Sequence, residues 1–373
     1  MSTEKSRTSK IPSRRKFLLA AGATGAATVA MPQVSRAQTV TWKYQSTWPT
    51  KDIFHEFAVD YAKKVNDMSG GRLKLDVLAA GAVVPAFQLQ DAVHSGILDG
   101  GHGVTAYWYG KNKVASLFGT PPSMGWDAHS MLGWFYYGGG EALYNELLTD
   151  ILKVNTVGFL YYPMMTQPLG WFKKPITSPD DFKNLKYRTV GLSADLFKEM
   201  GAAVTILSGG EIVPAMDRGL LDAAEFNNPS SDILLGFPDV SKVFMLGSHH
   251  QQQESFEISF NKTKYNALPA ELKAILRYAS FAATADQFAM AHDRYPKDLE
   301  AIKARGVQVI RTPESVLQAQ LQAWTKVMDA NKDPFFQKVY ESQKAWVKRT
   351  APYFFINNLH ASDLEKAYKH FFG

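Results

Sequence analysis

Beyond residue 37 the chain switches repeatedly between two hydrophobic periods. Thr39-Val40-Thr41-Trp42-Lys43-Tyr44 alternates polar residues with β-formers and predicts a strand. Asp52 to Met68 sets Ile53, Phe57, Tyr61 and Val65 at helical spacing and stops at Gly70-Gly71, the pattern of an amphipathic helix. Arg72 to Val77 returns to alternation, and a short helix is expected from Phe87 to His94. The same rhythm continues downstream and predicts an α/β protein with largely parallel sheets. Hydroxyl, proline and carboxylate side chains mark helix starts at Ser178-Pro179-Asp180-Asp181, Thr312-Pro313-Glu314 and Ser362-Asp363-Leu364-Glu365. From Thr312 onward the pattern is helical. Leu317, Leu321, Trp324 and Met328 form one stripe, and Phe335, Val339 and Trp346 continue it past Pro334. Such an aromatic arm needs a covering surface, either the protein's own core or a second copy.

One segment echoes another. Ser95-Gly96-Ile97-Leu98-Asp99-Gly100-Gly101 resembles Arg218-Gly219-Leu220-Leu221-Asp222-Ala223-Ala224, and each follows a short helix and leads into a short strand. Either this is a recurrent way of ending a helix, or the chain holds two similarly built lobes whose strand ends face a shared cleft, where ligands of open α/β sheets bind. A length of 373 residues suits two lobes better than one core. No low-complexity linker interrupts the chain after residue 37, so the lobes must be joined by ordered crossovers, which suits a hinge.

The charge distribution removes one class of partner. The net charge of +6 sits wholly in residues 1–37, which hold seven basic residues and one acidic one. The rest carries 34 basic and 34 acidic residues, so no nucleic acid or other polyanion is implied. The basic start ends in Ser13-Arg14-Arg15-Lys16-Phe17-Leu18, an apolar run extends to Met31, and Ser35-Arg36-Ala37 offers a cleavage site. This reads as a twin-arginine signal, with an ordinary Sec signal as the alternative. The run is shorter than the roughly 20 residues that cross a bilayer. A periplasmic protein beginning at Gln38 is expected. The absence of cysteine excludes disulfides, thiolate metal sites and cysteine nucleophiles.

Catalytic signatures are missing: there is no P-loop, H-E-x-x-H, G-x-S-x-G or EF-hand pattern. His249-His250 are read as surface or hydrogen-bonded residues rather than metal ligands. The informative block runs from Gln167 to Asn228. It contains Gln167-Pro168-Leu169-Gly170-Trp171-Phe172, then Leu185-Lys186-Tyr187-Arg188-Thr189-Val190-Gly191, a helix ending at Gly201, and Ala202 to Ile206. Glu211-Ile212-Val213-Pro214-Ala215 follows, and the block closes with Gly219-Leu220-Leu221-Asp222-Ala223-Ala224-Glu225-Phe226-Asn227. This order of one Arg, one Glu and several glycines resembles the solute receptors of tripartite ATP-independent periplasmic (TRAP) transporters, the DctP-type family. The resemblance takes in nearly the whole chain after residue 37, including the Tyr107-Trp108-Tyr109-Gly110-Lys111 loop. Val204 or Thr205 departs from the usual Pro-Val, and Glu225-Phe226-Asn227 departs from the usual Glu-Trp or Glu-Asn.

The resemblance implies an α/β, two-lobed periplasmic binding protein fold with a hinge cleft and long C-terminal helices. It implies no enzyme but a receptor for a small organic acid, working with the integral membrane subunits of a TRAP transporter. Lobe I is expected over 38–164 plus about 254–293, lobe II over 165–253 plus about 294–312, and a helical arm over 313–373. The subgroup that looks most similar binds 2-oxo or 2-hydroxy acids with a metal ion and forms homodimers through extended C-terminal helices.

Residue roles follow from that likeness and from side-chain chemistry. Arg188 is the expected carboxylate grip, since its planar guanidinium can make two parallel hydrogen bonds. The alternative is a structural ion pair with Glu211 or Asp222. Gln167 and Glu225 are the implied ligands of a Ca²⁺ or Na⁺ ion that also touches the substrate carboxylate, with the Phe226 carbonyl completing the set. The alternative for Glu225 is a partner for Arg188 without metal. Asn227 and Glu257 are further candidates for substrate and metal respectively. Trp48, Tyr107 and Trp108 are expected to wall the pocket in lobe I, and Trp171 to lie in the core. An exported enzyme and a sensor-type binding protein are the rival functions.

Overall fold

The computed structural model describes residues 39–373, so the signal expected over residues 1–37 lies outside the described residues. The strands are β1 (Val40–Ser46), β2 (Leu73–Leu78), β3 (Gly100–Val104), β4 (Thr156–Met164), β5 (Gly170–Phe172), β6 (Lys186–Arg188), β7 (Ala203–Thr205), β8 (Ala223–Ala224), β9 (Val243–Leu246), β10 (Glu254–Asn261) and β11 (Gln308–Arg311). One sheet has the order β2-β1-β3-β10-β4 and the other β7-β6-β8-β5-β9-β11. Each is the centre of one lobe. The helices used below are α1 (Ile53–Met68), α2 (Ser193–Glu199), α3 (Pro229–Leu235), α4 (Ala270–Ala304), α5 (Glu314–Ala330), α6 (Pro334–Asn357) and α7 (Ala361–Phe372).

The first α/β unit forms as its pattern dictates. The Asp52 carboxylate accepts the Phe54 amide at 3.0 Å and caps α1. Ile53, Phe57, Tyr61 and Val65 are all buried. The sheets, however, are mixed rather than largely parallel. β10 runs antiparallel to both β3 and β4, and β5 antiparallel to both β8 and β9. Both exceptions are strands that follow a crossover between the lobes. Chain direction there is set by the long connection and not by a local βαβ turn.

The two halves of the sequence echo play the same part in the two sheets. Gly96 (φ 80°) and Gly219 (φ 72°) each close a short helix in the left-handed region. The Asp99 amide then donates to Lys43 O at 3.0 Å, and its carboxylate accepts the Lys43 amide at 2.6 Å. Asp222 does the same with Lys186, at 2.8 and 3.3 Å. Each carboxylate is also paired with a second lysine, Lys264 or Lys173. β3 lies between parallel β1 and antiparallel β10, as β8 lies between parallel β6 and antiparallel β5. Tyr44 faces Gly100 in one sheet, and Tyr187 faces Ala223 in the other. The lobes are two copies of one strand plan.

Helix α4 ties the lobes together from the side. Gln287 donates to Phe57 O at 3.1 Å in the first lobe, and Asp298 accepts the Ser230 hydroxyl from α3 in the second. The brace is therefore a helix within the chain, ahead of the C-terminal arm. In the arm, α5 packs on α2 in the second lobe and α6 reaches the first. The buried face of α5 is Val316, Gln320, Ala323, Trp324, Val327 and Met328, while Leu317 and Leu321 are half-buried. The Ser178 capping box closes only a single 3₁₀ turn, Pro179–Phe182. Helix α7 starts at Ala361, ahead of Ser362. No helix among the described residues is long and apolar enough to cross a membrane.

Candidate functional site

The site lies where the chain passes between the lobes. Residues 165–169 link β4 to β5, and residues 247–253 return from β9 to β10. The Gln167 amide donates to Gln251 O at 3.0 Å and holds the two crossovers side by side. Facing them are the carboxyl ends of β6 and β8, which carry Arg188 and the run Glu225-Phe226-Asn227. Strand ends of this kind supply exposed backbone and side chains on a rigid base, the usual ligand position in open α/β sheets.

Arg188 is 1% exposed. Its Nε and Nη2 donate to Leu207 O at 2.9 and 2.7 Å. Its Nη1 donates to Glu225 O at 3.0 Å and to Glu225 Oε1 at 2.9 Å. The ion-pair partner is thus Glu225. Glu211 instead belongs to a capping box with Ser208, and Asp222 pairs with Lys173. A guanidinium has five N–H groups, so one on Nη2 stays uncommitted. The fork expected to grip a carboxylate with two parallel bonds is largely held by the protein. Phe226 covers the guanidinium, with its ring centre 5.6 Å from Cζ.

Gln167 Nε2 donates to Asn227 Oδ1 at 3.2 Å and to Glu254 Oε2 at 3.1 Å. Gln167, Glu225, Asn227 and Glu254 are all buried. Burial pushes the Glu225 carboxyl up to about 7, against the opposing pull of Arg188. Glu254 is raised to about 8 by burial and by the Glu225 charge. Three side-chain atoms of this cluster are buried without a hydrogen-bond partner: Gln167 Oε1, Glu225 Oε2 and Asn227 Nδ2. Orphaned buried polar atoms are costly. Two of the three are oxygens, a hard donor set that fits an alkali or alkaline-earth cation. Among the described residues no group of three or more His, Asp or Glu side chains gathers as a metal site. The donor set here depends on amide and backbone oxygens beside carboxylates.

Other expected residues lie further out. Tyr107 lines a cavity in the cleft together with Ile206, Val190 and Gly191 of the second lobe, the last two close to Arg188 in sequence, and burial raises its hydroxyl. Trp48 stands behind it, ring centres 5.8 Å apart, with its indole N–H given to His102 Nδ1 at 2.9 Å. Trp108 and Glu257 are not brought to the cluster. They bind each other at 2.8 Å within the first lobe. Glu254 stands beside Gln167 instead, a residue the sequence reading passed over. Two carboxylates three apart on a strand point to opposite faces, and nothing local says which face the crossovers will meet. Trp171 is buried, stacked on Phe244 and bonded through its indole N–H to Asp232. His249 and His250 are engaged with the hydroxyls of Ser123 and Ser248, and burial pushes His250 down to about 3.

Known proteins share this fold. The family described as bacterial extracellular solute-binding protein, family 7 (DctP) matches residues 44–338. A monocarboxylate 2-oxoacid-binding periplasmic protein from Nostoc is 30% identical over 357 residues, covering 93% of this chain and 97% of its own. A crystal structure of a TRAP periplasmic solute-binding protein from Colwellia psychrerythraea, with bound calcium and pyruvate, superposes with a TM-score of 0.80 at 30% identity, over 90% of this chain and 100% of its own. A TRAP solute-binding protein from Bordetella bronchiseptica, a mixed-occupancy dimer with copurified calcium and picolinate, gives a TM-score of 0.82 at 26% identity, over 89% of this chain and 98% of its own. The fold and the crossover site therefore meet a sequence match over most of the length, and the chain belongs to the DctP family of periplasmic solute receptors, which serve TRAP transporters and are not enzymes.

Proposed function

We propose that the chain captures a small 2-oxo or 2-hydroxy monocarboxylate, such as pyruvate or lactate, together with a Ca²⁺ or Na⁺ ion, and delivers it to the integral membrane subunits of a TRAP transporter. The observation that carries this is the pair of orphaned buried oxygens, Gln167 Oε1 and Glu225 Oε2, beside an Arg188 N–H with no partner. The cation would be held by Gln167, Glu225 and the Phe226 carbonyl, with Glu254 as the added carboxylate. It would supply positive charge next to Arg188, so that a monocarboxylate meets two cationic centres. Asn227 and Tyr107 bound the remaining space. The lobes, 38–164 plus about 254–293 and 165–253 plus about 294–312, close around the ligand by a hinge at the crossovers. Contacts across the cleft favour closure: the Asp195 carboxylate on α2 accepts from the Tyr109 hydroxyl and from Lys113 Nζ, each at 2.8 Å.

The test is thermal unfolding of the mature protein against a panel of organic acids, with Ca²⁺, with Na⁺ and after chelation. Ligand at 100 times its Kd is expected to stabilise by about 2.7 kcal/mol. Stabilisation by a small 2-oxo acid only in the presence of a cation is the expected result. Acids that bind equally well after chelation would remove the metal and leave Arg188. An unresponsive protein across the panel would remove the whole reading.

Export through the twin-arginine route and a homodimer complete the proposal. The end of α6 and all of α7 carry large exposed apolar side chains, among them Ile356 (88% exposed), Phe371 and Phe372 (76%). Beside them a groove of about 910 Å³ is lined by Trp126, His129, Phe354 and Phe355. A run of this kind on a soluble receptor needs a partner surface, and a second copy of the arm supplies one. Sedimentation should give a dimer for the mature protein and a monomer for Ile356→Asp/Phe372→Asp. A monomeric starting protein would overturn the homodimer.

A further inference from the structure

Glu257 is 2% exposed and lies on the face of β10 away from Glu254. Its Oε2 accepts the Trp108 indole N–H at 2.8 Å, and its Oε1 accepts the Tyr144 hydroxyl. Among the described residues no Lys or Arg forms an ion pair with it. A carboxylate buried between two neutral donors is costly compared with an apolar side chain of the same shape. What it holds explains why it is there. Trp108 ends the single 3₁₀ turn Thr105–Trp108 that follows β3. One turn has no stability of its own and keeps its shape only through anchors.

Consecutive residues of this segment face three different ways. Tyr107 opens on the cavity that Ile206, Val190 and Gly191 line from the second lobe, the last two close to Arg188 in sequence, and is backed by Trp48 and by Phe87 at 4.8 Å. Trp108 points into its own lobe at Glu257. Tyr109 donates to Asp195 of the opposite lobe. The indole anchor therefore fixes the rotation of the turn, and with it the position of Tyr107. We propose that Glu257 is a positioning residue for ligand binding, which acts through Trp108 to hold Tyr107 against the Arg188–Glu225 site. This rests on the reading that this site takes the carboxylate.

The test uses the whole mature protein, pyruvate as probe and Ca²⁺ in the buffer, with dissociation followed by stopped flow. Trp108→Phe removes the indole N–H and keeps the aromatic bulk. It should raise the dissociation rate about tenfold, because loss of preorganisation falls mainly on koff. Glu257→Met should do the same. Glu257→Gln should stay within about twofold of the parent, since its Oε1 can still accept from Trp108 while its NH₂ donates to the Tyr144 oxygen. In a Tyr107→Ala background, Trp108→Phe should add less than about twofold, as two changes on one pathway are not additive. A parental dissociation rate in Trp108→Phe overturns the proposal. So does a full tenfold effect that persists without Tyr107, which would make the anchor merely structural. If the parent itself fails to bind pyruvate, the pyruvate reading of the site fails separately. Hydrogen exchange of the 105–109 amides in the ligand-free protein then decides the anchor: faster exchange in Trp108→Phe and Glu257→Met but not in Glu257→Gln supports it, and unchanged exchange overturns it.

Discussion

Replacing Arg188 with methionine is expected to abolish carboxylate binding and to cost about 1.4 kcal/mol more stability at pH 8 than at pH 6, because a carboxyl that already titrates at about 7 takes up a proton rather than stay charged and unpaired. The binding loss follows from the donor count, since Arg188 keeps one uncommitted guanidinium N–H beside its bonds to Leu207 and Glu225, and methionine offers no donor and no charge. The stability loss follows from what remains. Glu225 is fully buried, and Arg188 is the strongest of the groups that oppose its desolvation, ahead of the Thr189 hydroxyl and the Val190 amide. Without that guanidinium its carboxyl rises further above about 7. At pH 6 the carboxyl is neutral in the folded variant, and this charge-dependent part of the loss should vanish. Urea unfolding of the chelated protein at pH 6 and pH 8 reads this directly. The double variant Arg188→Met/Glu225→Gln should recover most of the stability at pH 8 and none of the binding. Equal losses at both pH values would mean that Glu225 is not the charge being stabilised.

The second large effect is a coupling between protons and the cation. In the empty protein Glu225 titrates at about 7 and Glu254 at about 8, both above the ordinary 4.5. Between those values the native protein binds more protons than the unfolded chain. Stability of the cation-free protein therefore falls as pH rises through the window. A cation needs the ionised carboxylates and releases their protons, so its affinity moves the other way. Calcium affinity is expected to rise about tenfold per pH unit for each proton released from pH 6, and to level off above about pH 8. Titration calorimetry in buffers of different ionisation enthalpy counts those protons. Glu225→Gln should reduce the count by one. An affinity that stays flat from pH 6 to pH 8 would leave these carboxylates out of the cation site.

Both effects belong to a cluster that local sequence signals describe only in part. Arg188 stood out because an arginine within an apolar strand needs a partner. Its partner could not be chosen by spacing. Glu211, Asp222 and Glu225 all lie within a short distance along the chain, and the parallel pairing of β6 with β8 is what puts Glu225 against the guanidinium. Gln167 was singled out by likeness, yet its contacts, Asn227 and Glu254, are 60 and 87 residues away. Glu254 was passed over in favour of Glu257 because both are carboxylates in one strand. Their opposite faces acquire meaning only when one face meets the crossovers and the other meets Trp108. From sequence the three aromatics Trp48, Tyr107 and Trp108 look alike as pocket wall. The fold sorts them into one lining the cleft, one behind it and one used as an anchor.

By itself the sequence determined whatever depends on near neighbours. Hydrophobic period fixed β1, α1 and β2, because a strand or a helix buries one face whatever the rest of the chain does. The Gly96 and Gly219 turns were equally local, since a left-handed residue after a helix favours glycine. The repeated Gly-x-Leu-Asp pattern offered two lobes of one plan as one of two readings, the other being a recurrent way of ending a helix. Only the tertiary structure decided the antiparallel insertion of β5 and β10, the internal brace α4 and the pairing of Arg188 with Glu225. The physical reason is the range of the forces. Backbone sterics and side-chain periodicity act within a few residues. Burial of a charge depends on which distant segments close over it, and in this protein those segments are the two crossovers between the lobes.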